Sequence, residues 1–232
     1  MEIRLGSLVR DAREAQGTVI VIDVFRAFTT AAIAFQRGAK EIVLVAEVAE
    51  ALALRQRGIG DVLMGEEDGK RPAGFDYGNS PYEVSHAGVA GKTIVQSTRA
   101  GTVGVAAAGG GQASQIYLGS FAVAEATVAS ILREQPPLVS IISMGDQGRV
   151  KSDEDEQCAL YLRNRLEGRQ PNLDAVRSLI MTGGATQKFF DPAQPQYHPK
   201  DVDLALEFNR YPFAMKVSRE NGLLVARKYL VD

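Results

Sequence analysis

Residues 18–32, TVIVIDVFRAFTTAA, decide how this chain is read. The stretch opens on an apolar, β-branched run over 18–22, and continuous Val/Ile runs mark parallel strands buried on both faces. Asp23 stands where the run ends, with Arg26, Thr29 and Thr30 just beyond it. The small and apolar residues 31–35 then read as a helix that Gly38 stops. Ligands of open α/β sheets bind off the carboxyl ends of the strands. The stretch therefore puts a carboxylate, a guanidinium and two hydroxyls at the expected mouth of a site. The plain alternative is an N-cap Asp followed by a solvated Arg.

Outward from this stretch the pattern keeps alternating. Strands are expected over 41–46, 61–64, 92–96, 114–118 and 138–143, with helices over 47–57, 103–108 and 121–134. Such alternation argues for an α/β fold, a mainly parallel sheet with helices on its faces. Residues 68–81 form a polar, glycine-rich loop with no period of its own, and a loop of that length is usually functional or disordered. Phe75, Tyr77 and the scarcity of solvating charge point to order. Helices are expected over 154–167, 173–181, 185–190 and 201–210, with an extended, proline-bearing piece over 193–199. Strands over 213–217 and 223–227 close the pattern as a C-terminal β-hairpin, since Asn221-Gly222 is a strong turn signal. No linker forces a boundary, so residues 1–232 read as one domain or as two closely packed lobes.

Bulk composition narrows the function. The chain has 232 residues, 45% hydrophobic and 23% charged, which is ordinary for a soluble globular protein. A net charge of −2 gives no pull toward nucleic acid or an anionic membrane. A single cysteine permits no intrachain disulfide, and the expected compartment is the reducing cytoplasm. The first seventeen residues are charged and lack the apolar core of a signal peptide, and no apolar run is long enough to span a bilayer. Chains of this class and size often pair, so a homodimer is one expected state.

Several tempting motifs fail. Gly91-Lys92-Thr93 suggests a phosphate-binding loop, but His86 stands where the pattern needs glycine and a strand follows the lysine. Cys158 with Arg163 has the wrong spacing for a thiolate phosphatase and lies within a helix, so a structural thiol is the better reading. Phe25 occupies the place of the second Asp of haloacid-dehalogenase phosphatases, and His86 and His198 are too few for a histidine metal cluster. What survives is a set of polar clusters at predicted strand ends: Asp23 with Arg26, Glu66 with Glu67, residues 97–102, Gly119-Ser120 and residues 143–146. Together they offer carboxylates for a hard divalent cation, basic groups for an anion, and helix N-termini that favour phosphate or sulfonate. Phosphoryl transfer needs those three things and little covalent chemistry from the protein. The Arg-Ala-x-Thr of residues 26–29 recurs at 99–102, again after a strand. The two turns are therefore expected to form a pair of anion pockets, each with helix amides and one guanidinium.

The motifs DVFRAFTTA (23–31), GE (65–66), GFDYGNSP (74–81), GKTIVQST (91–98), GT (101–102), GSF (119–121) and FNRYPF (208–213) follow one another in the order of a known family. On these motifs the chain resembles the 2-phosphosulfolactate phosphatase family over nearly its whole length, GFDYGNSP being the most specific piece. The resemblance implies a three-layer α/β/α fold and Mg²⁺-dependent hydrolysis of 2-phosphosulfolactate to sulfolactate and phosphate, a step toward coenzyme M. Asp23 and Glu66 would be the metal ligands, with Asp76, Glu154 and Asp155 as further candidates. Arg26 and Arg99 would clamp the anionic substrate, while Thr29, Thr30, Asn79, Ser97, Thr98, Gly101 and Thr102 would surround it with donors. Either a water activated at the cation or the Asp23 carboxylate itself would attack phosphorus.

The chain departs from the family pattern at the site rather than in the core. Glu67 stands where an arginine is expected, leaving Lys70 or Arg71 to compensate, and Arg99-Ala100 and Ser143-Met144 replace other expected residues, as does Ala122-Val123. Two rivals follow: a phosphatase acting on a different phosphorylated hydroxy acid, and a catalytically silent anion-binding protein.

Overall fold

The computed structural model describes residues 1–230. Nine strands form one sheet: β1 (Glu2–Ser7), β2 (Gln16–Ile22), β3 (Glu41–Val45), β4 (Val62–Gly65), β5 (Thr93–Ser97), β6 (Gln112–Gly119), β7 (Leu138–Ser143), β8 (Phe213–Glu220) and β9 (Leu223–Leu230). Their spatial order is β1-β7-β2-β6-β8-β9-β3-β5-β4. The helices are α1 (Leu8–Glu14), α2 (Ala27–Gln36), α3 (Val48–Gln56), α4 (Pro81–Val84), α5 (Gly101–Gly109), α6 (Ala124–Glu134), α7 (Asp153–Leu166), α8 (Leu173–Thr182), α9 (Gly184–Gln187) and α10 (Pro199–Ala205). The α/β reading, the mainly parallel sheet and the C-terminal hairpin are all present. No helix among the described residues is long and apolar enough to cross a membrane.

The hairpin is the unexpected part of the topology. It lies in the middle of the sheet, between a parallel group β1-β7-β2-β6 and a second parallel group β3-β5-β4. Passing from β6 through β8 and β9 to β3 takes three antiparallel steps, so the two groups run in opposite directions. In a flat sheet their carboxyl ends would lie at opposite edges. Here the sheet curls about α2 and α5, and the ends meet: the Asp23 carboxylate, after β2, lies 2.8 Å from the Gly101 amide, after β5.

Sequence explains why those two helices can be enclosed. α2 reads AFTTAAIAFQ and is buried over residues 27–35, and a helix that is small and apolar all round belongs inside. α5 reads GTVGVAAAG, and a side chain at Gly104 would collide with the Met144 sulfur. One apolar cluster joins α2 and α5 to residues of both strand groups, such as Val19 and Ile116 on one side and Ile42 and Ile94 on the other. A second cluster packs Tyr117, Ile131, Leu162 and Ile180 on the outer face of the first group. A third packs Leu54, Leu63 and Val95 outside the second group.

The N-terminal residues, given no element from sequence, form β1 and α1. β1 pairs in parallel with β7 and is mostly exposed, so its apolar alternation is too weak to see. The helix expected over 121–134 begins as a 3₁₀ turn, Phe121–Val123, and the one over 185–190 divides into α9 and a 3₁₀ turn, Lys188–Phe190. α10 stops at Ala205 rather than at residue 210, and Asn209 takes a left-handed φ of 57° instead. The loop over 68–81 is ordered, with the Asp76 and Tyr77 amides donating to the Leu63 carbonyl at 3.0 and 3.2 Å.

Two contacts hold the site's scaffold. Gly65 has φ +153°, and a Cβ there would stand 1.9 Å from the Ser97 carbonyl oxygen, so only glycine lets β4 close on β5 before Glu66. Asp201, fully buried on α10, accepts Ser80 Oγ at 2.6 Å and the Tyr82 amide at 3.0 Å, and pairs with Arg26 at 3.1 Å. Gly65→Ala is expected to lower stability by about 2 kcal/mol or more. Asp201→Ala, which leaves a buried guanidinium without its counter-ion, should cost roughly 3–5 kcal/mol. Thermal and denaturant unfolding read both effects.

Candidate active site

A cavity of about 260 Å³ opens where the two strand groups meet. Asp23, Glu66, Asn79 and Arg99 line it, as sequence expects, along with Lys188 and Tyr197, which sequence analysis missed. A second cavity of about 300 Å³ adjoins it and shares Phe25, Gly145, Asp146 and Lys188 with it. Glu154 lies on the wall of that second cavity.

Asp23 is 5% exposed, and each of its oxygens accepts a backbone amide. Oδ1 accepts from Ala27 at 2.9 Å and Oδ2 from Gly101 at 2.8 Å, so one carboxylate joins the first residues of α2 and α5. Burial lifts its carboxyl to about 6; the nearby charge of Glu66 adds to this, while the two amides and Lys188 oppose it. Glu66 is held similarly, accepting the Gly69 amide and the Arg99 amide, each at 2.7 Å. Glu154 is 4% exposed, and its Oε2 is buried with no partner among the described residues. Burial, with the charge of Asp23, lifts its carboxyl to about 7 against the pull of Lys188.

Other expected residues are placed differently. Asp155 is buried and lines neither cavity, because its two oxygens accept the Val24 and Gly145 amides, each at 2.8 Å. Burial and the charges of Glu154 and Asp23 push its carboxyl well above the usual range. Asp76 also lies off the cavities, engaged by Arg55 and by the Leu63 amide.

The paired anion pockets are corrected too. The amides expected to hold substrate at α2 and α5 are occupied by Asp23. Arg26 borders the cavity, with Nη1 donating to Asp201 and to the Gln196 carbonyl at 2.9 Å and Nη2 to the Gly69 carbonyl at 3.1 Å. It acts as an internal strut, not as a free clamp. The hydroxyls of Thr29, Thr30 and Thr102 bond backbone carbonyls, and those of Thr98 and Thr102 lie 3.4 Å apart. Ser97, Thr98 and Thr102 are fully enclosed behind the wall. Gly101 gives its amide to Asp23. Arg71 donates to the Asp76 carbonyl and, with Lys70, lines a third cavity that meets the first at Arg26, Gly69 and Asn79.

Unpartnered groups remain in the first cavity. Arg99 Nε and Asn79 Oδ1 are buried without a hydrogen-bond partner among the described residues. Lys188 Nζ has no carboxylate within 4.0 Å among them; it rests 4.9 Å from the Tyr197 ring centre and 5.9 Å from that of Phe189. Tyr197 presses on the turn at Gly69, where a Cβ would fall 2.3 Å from the phenol oxygen. Lys188 sits in a 3₁₀ turn far from any strand end, so the strand-end rule could not find it. Its one sequence signal is a lone cation beside two aromatics.

Comparison with known proteins agrees with this architecture. The profile described as 2-phosphosulpholactate phosphatase matches residues 6–190. A protein of Bacillus subtilis (strain 168), named probable 2-phosphosulfolactate phosphatase, is 32% identical over 91% of this chain and 92% of its own length. A namesake in Clostridium acetobutylicum is 31% identical over 77% of this chain and 72% of its own. Another, in Deinococcus radiodurans, is 38% identical over 58% and 56%. With most of its length matched by the profile and a full-length relative above 30% identity, the chain belongs to the 2-phosphosulfolactate phosphatase family, a family of phosphoric monoester hydrolases.

Proposed function

We propose that this protein hydrolyses 2-phosphosulfolactate to sulfolactate and inorganic phosphate, with Mg²⁺ as its cofactor. One observation carries the reading: a member of this family gathers two hard carboxylates, Asp23 and Glu66, and two cations, Arg99 and Lys188, around one cavity. A phosphoryl group that shares a small molecule with a carboxylate and a sulfonate asks for that mixture. The product would enter the coenzyme M route that the sequence resemblance implies.

Among the described residues, no group of three or more His, Cys, Asp or Glu side chains is gathered for a metal ion. Mg²⁺ does not need one, because it is held through one or two carboxylates while water and substrate phosphate complete its shell. Asp23 and Glu66 fit that demand. Both are oxygen donors on the cavity wall, and the charge of Glu66 already raises the Asp23 carboxyl, a repulsion that a divalent cation offsets. When bound there, Mg²⁺ would supply Lewis-acid neutralisation of charge on the phosphoryl oxygens.

The chain's own groups account for the rest of the reading. Arg99, with its unpartnered Nε, offers donors to the phosphoryl oxygens. Asp23, held by two amides, would accept the proton of an attacking water. Asn79 and the Arg26–Asp201 pair shape the wall and keep the cavity from collapsing.

Phosphate release from 2-phosphosulfolactate, with Mg²⁺ and with chelator, tests this reading. Chelator-sensitive release is expected, and Asp23→Asn and Glu66→Gln should each lower kcat by about 100-fold or more. Release from another phosphorylated hydroxy acid alone would change the substrate, and none from folded protein would leave an anion-binding protein.

The proton state of Glu154 gives a second test. Its folded value of about 7 exceeds the ordinary 4.5, so the folded protein binds the extra proton between those values. The resulting stability is present below pH 4.5 and is lost as pH rises toward 7. In chelator, Glu154→Gln should therefore raise the unfolding free energy at pH 7.5 by on the order of 1–3 kcal/mol, read as a higher melting temperature, and change it little at pH 4.5.

A further inference from the structure

Arg26 and Arg99 are the cations that the repeated turn puts forward, yet the structure spends Arg26 inside the protein. Of the basic residues on the first cavity, Arg26 is paired with Asp201, whereas Arg99 and Lys188 have no carboxylate within 4.0 Å among the described residues. They are not equivalent. Arg99 lines the first cavity, while Lys188 lines both cavities and stands at their junction. A ligand whose phosphoryl group lies by Asp23 and Glu66 and whose remainder extends into the second cavity passes Lys188.

We infer that Lys188 and the adjoining cavity form the subsite for the anionic group that is not transferred, so that Lys188 selects substrates by their second charge. This rests on the phosphatase reading above. The ammonium has no carboxylate within 4.0 Å among the described residues, so binding an anion breaks no ion pair. Its position is fixed in advance by the faces of Tyr197 and Phe189, at 4.9 and 5.9 Å. Tyr197 also lies 4.8 Å from the Arg26 guanidinium carbon, which ties the subsite to the Arg26–Asp201 strut. The lining sets the need for a cation: Asp23, Glu66, Asp68 and Asp146 face the first cavity, and Asp146, Asp153 and Glu154 face the second beside Lys151 and Lys188, so an anionic remainder is held only where the lysines offset those carboxylates. The subsite therefore takes a carboxylate or sulfonate carried on the carbon skeleton next to the ester oxygen. A simple alkyl phosphate gains nothing from it.

Phosphate release by wild type, Lys188→Ala and Lys188→Arg is compared on 2-phosphosulfolactate and on isopropyl phosphate, which has no second anion. Lys188→Ala is expected to lower kcat/KM for 2-phosphosulfolactate by roughly 10- to 100-fold, mainly through KM, as for loss of one charge-assisted hydrogen bond. Isopropyl phosphate, which feels the charge of Lys188 on Asp23 but has no second anion, should lose at least about 5-fold less than 2-phosphosulfolactate, and Lys188→Arg should recover much of the difference. An equal fall on both esters would place Lys188 at the phosphoryl group and overturn the inference, as would no fall on either. If wild type hydrolyses neither ester, the phosphatase reading fails by itself. Calorimetric binding of sulfolactate then decides the subsite: weaker binding by Lys188→Ala supports it, and equal binding overturns it.

Discussion

A single carboxylate holds this molecule's two halves in register. Asp23 ends a strand of one parallel group, and its two oxygens receive the first amides of α2 and α5, which follow strands of opposite groups. Helix N-termini attract anions, and two of them brought together attract one strongly. Meeting that demand with a side chain rather than a ligand has a cost. The carboxylate is buried and close to Glu66, and its acidity is weakened to about 6. The interaction that closes the fold thus leaves a strained concentration of negative charge at the cavity floor, where a divalent cation and a phosphate ester are expected to relieve it.

Much of this was legible in the chain, and the reasons are specific. The run over 18–22 and its terminal Asp identify a buried parallel strand and the site beyond it, because burial on both faces and the strand-end rule are local properties. Glu66 follows the same logic at the end of β4. Arg26 shows the limit. Its spacing after the strand suits an anion clamp, but the partner that consumes it, Asp201, is 175 residues away and no local pattern announces it. The threonines fail for a related reason: at helix starts their hydroxyls bond backbone carbonyls within a few residues. Asp155 lies one turn into an acidic helix start, where composition cannot tell a metal ligand from a carboxylate that ties loops together.

Lys188 and Tyr197 were invisible for a different reason. They reach the site from the C-terminal third, which crosses over the strand ends after α8 and carries no strand of its own until β8. Strand-end reasoning covers the residues that a parallel sheet delivers to its mouth; it has no hold on a segment laid across that mouth from outside. The residues that departed from the family pattern, such as Glu67, likewise could not be judged from their neighbours. Only the fold shows that Lys70 and Arg71 line a cavity adjoining the first at Arg26, Gly69 and Asn79, and that Lys188 joins the first cavity from another segment.

The central place of the β8–β9 hairpin bears on how the chain comes to be folded. Residues 213–230 are made after every other strand, yet they join β6 to β3 in the middle of the sheet. Without them the remaining strands fall into two separate parallel groups, whose inner edges are β6 and β3. Such edges are templates for pairing with other chains. The last strands in the chain therefore cover the β6 and β3 edges, and serve as the seal as well as the bridge.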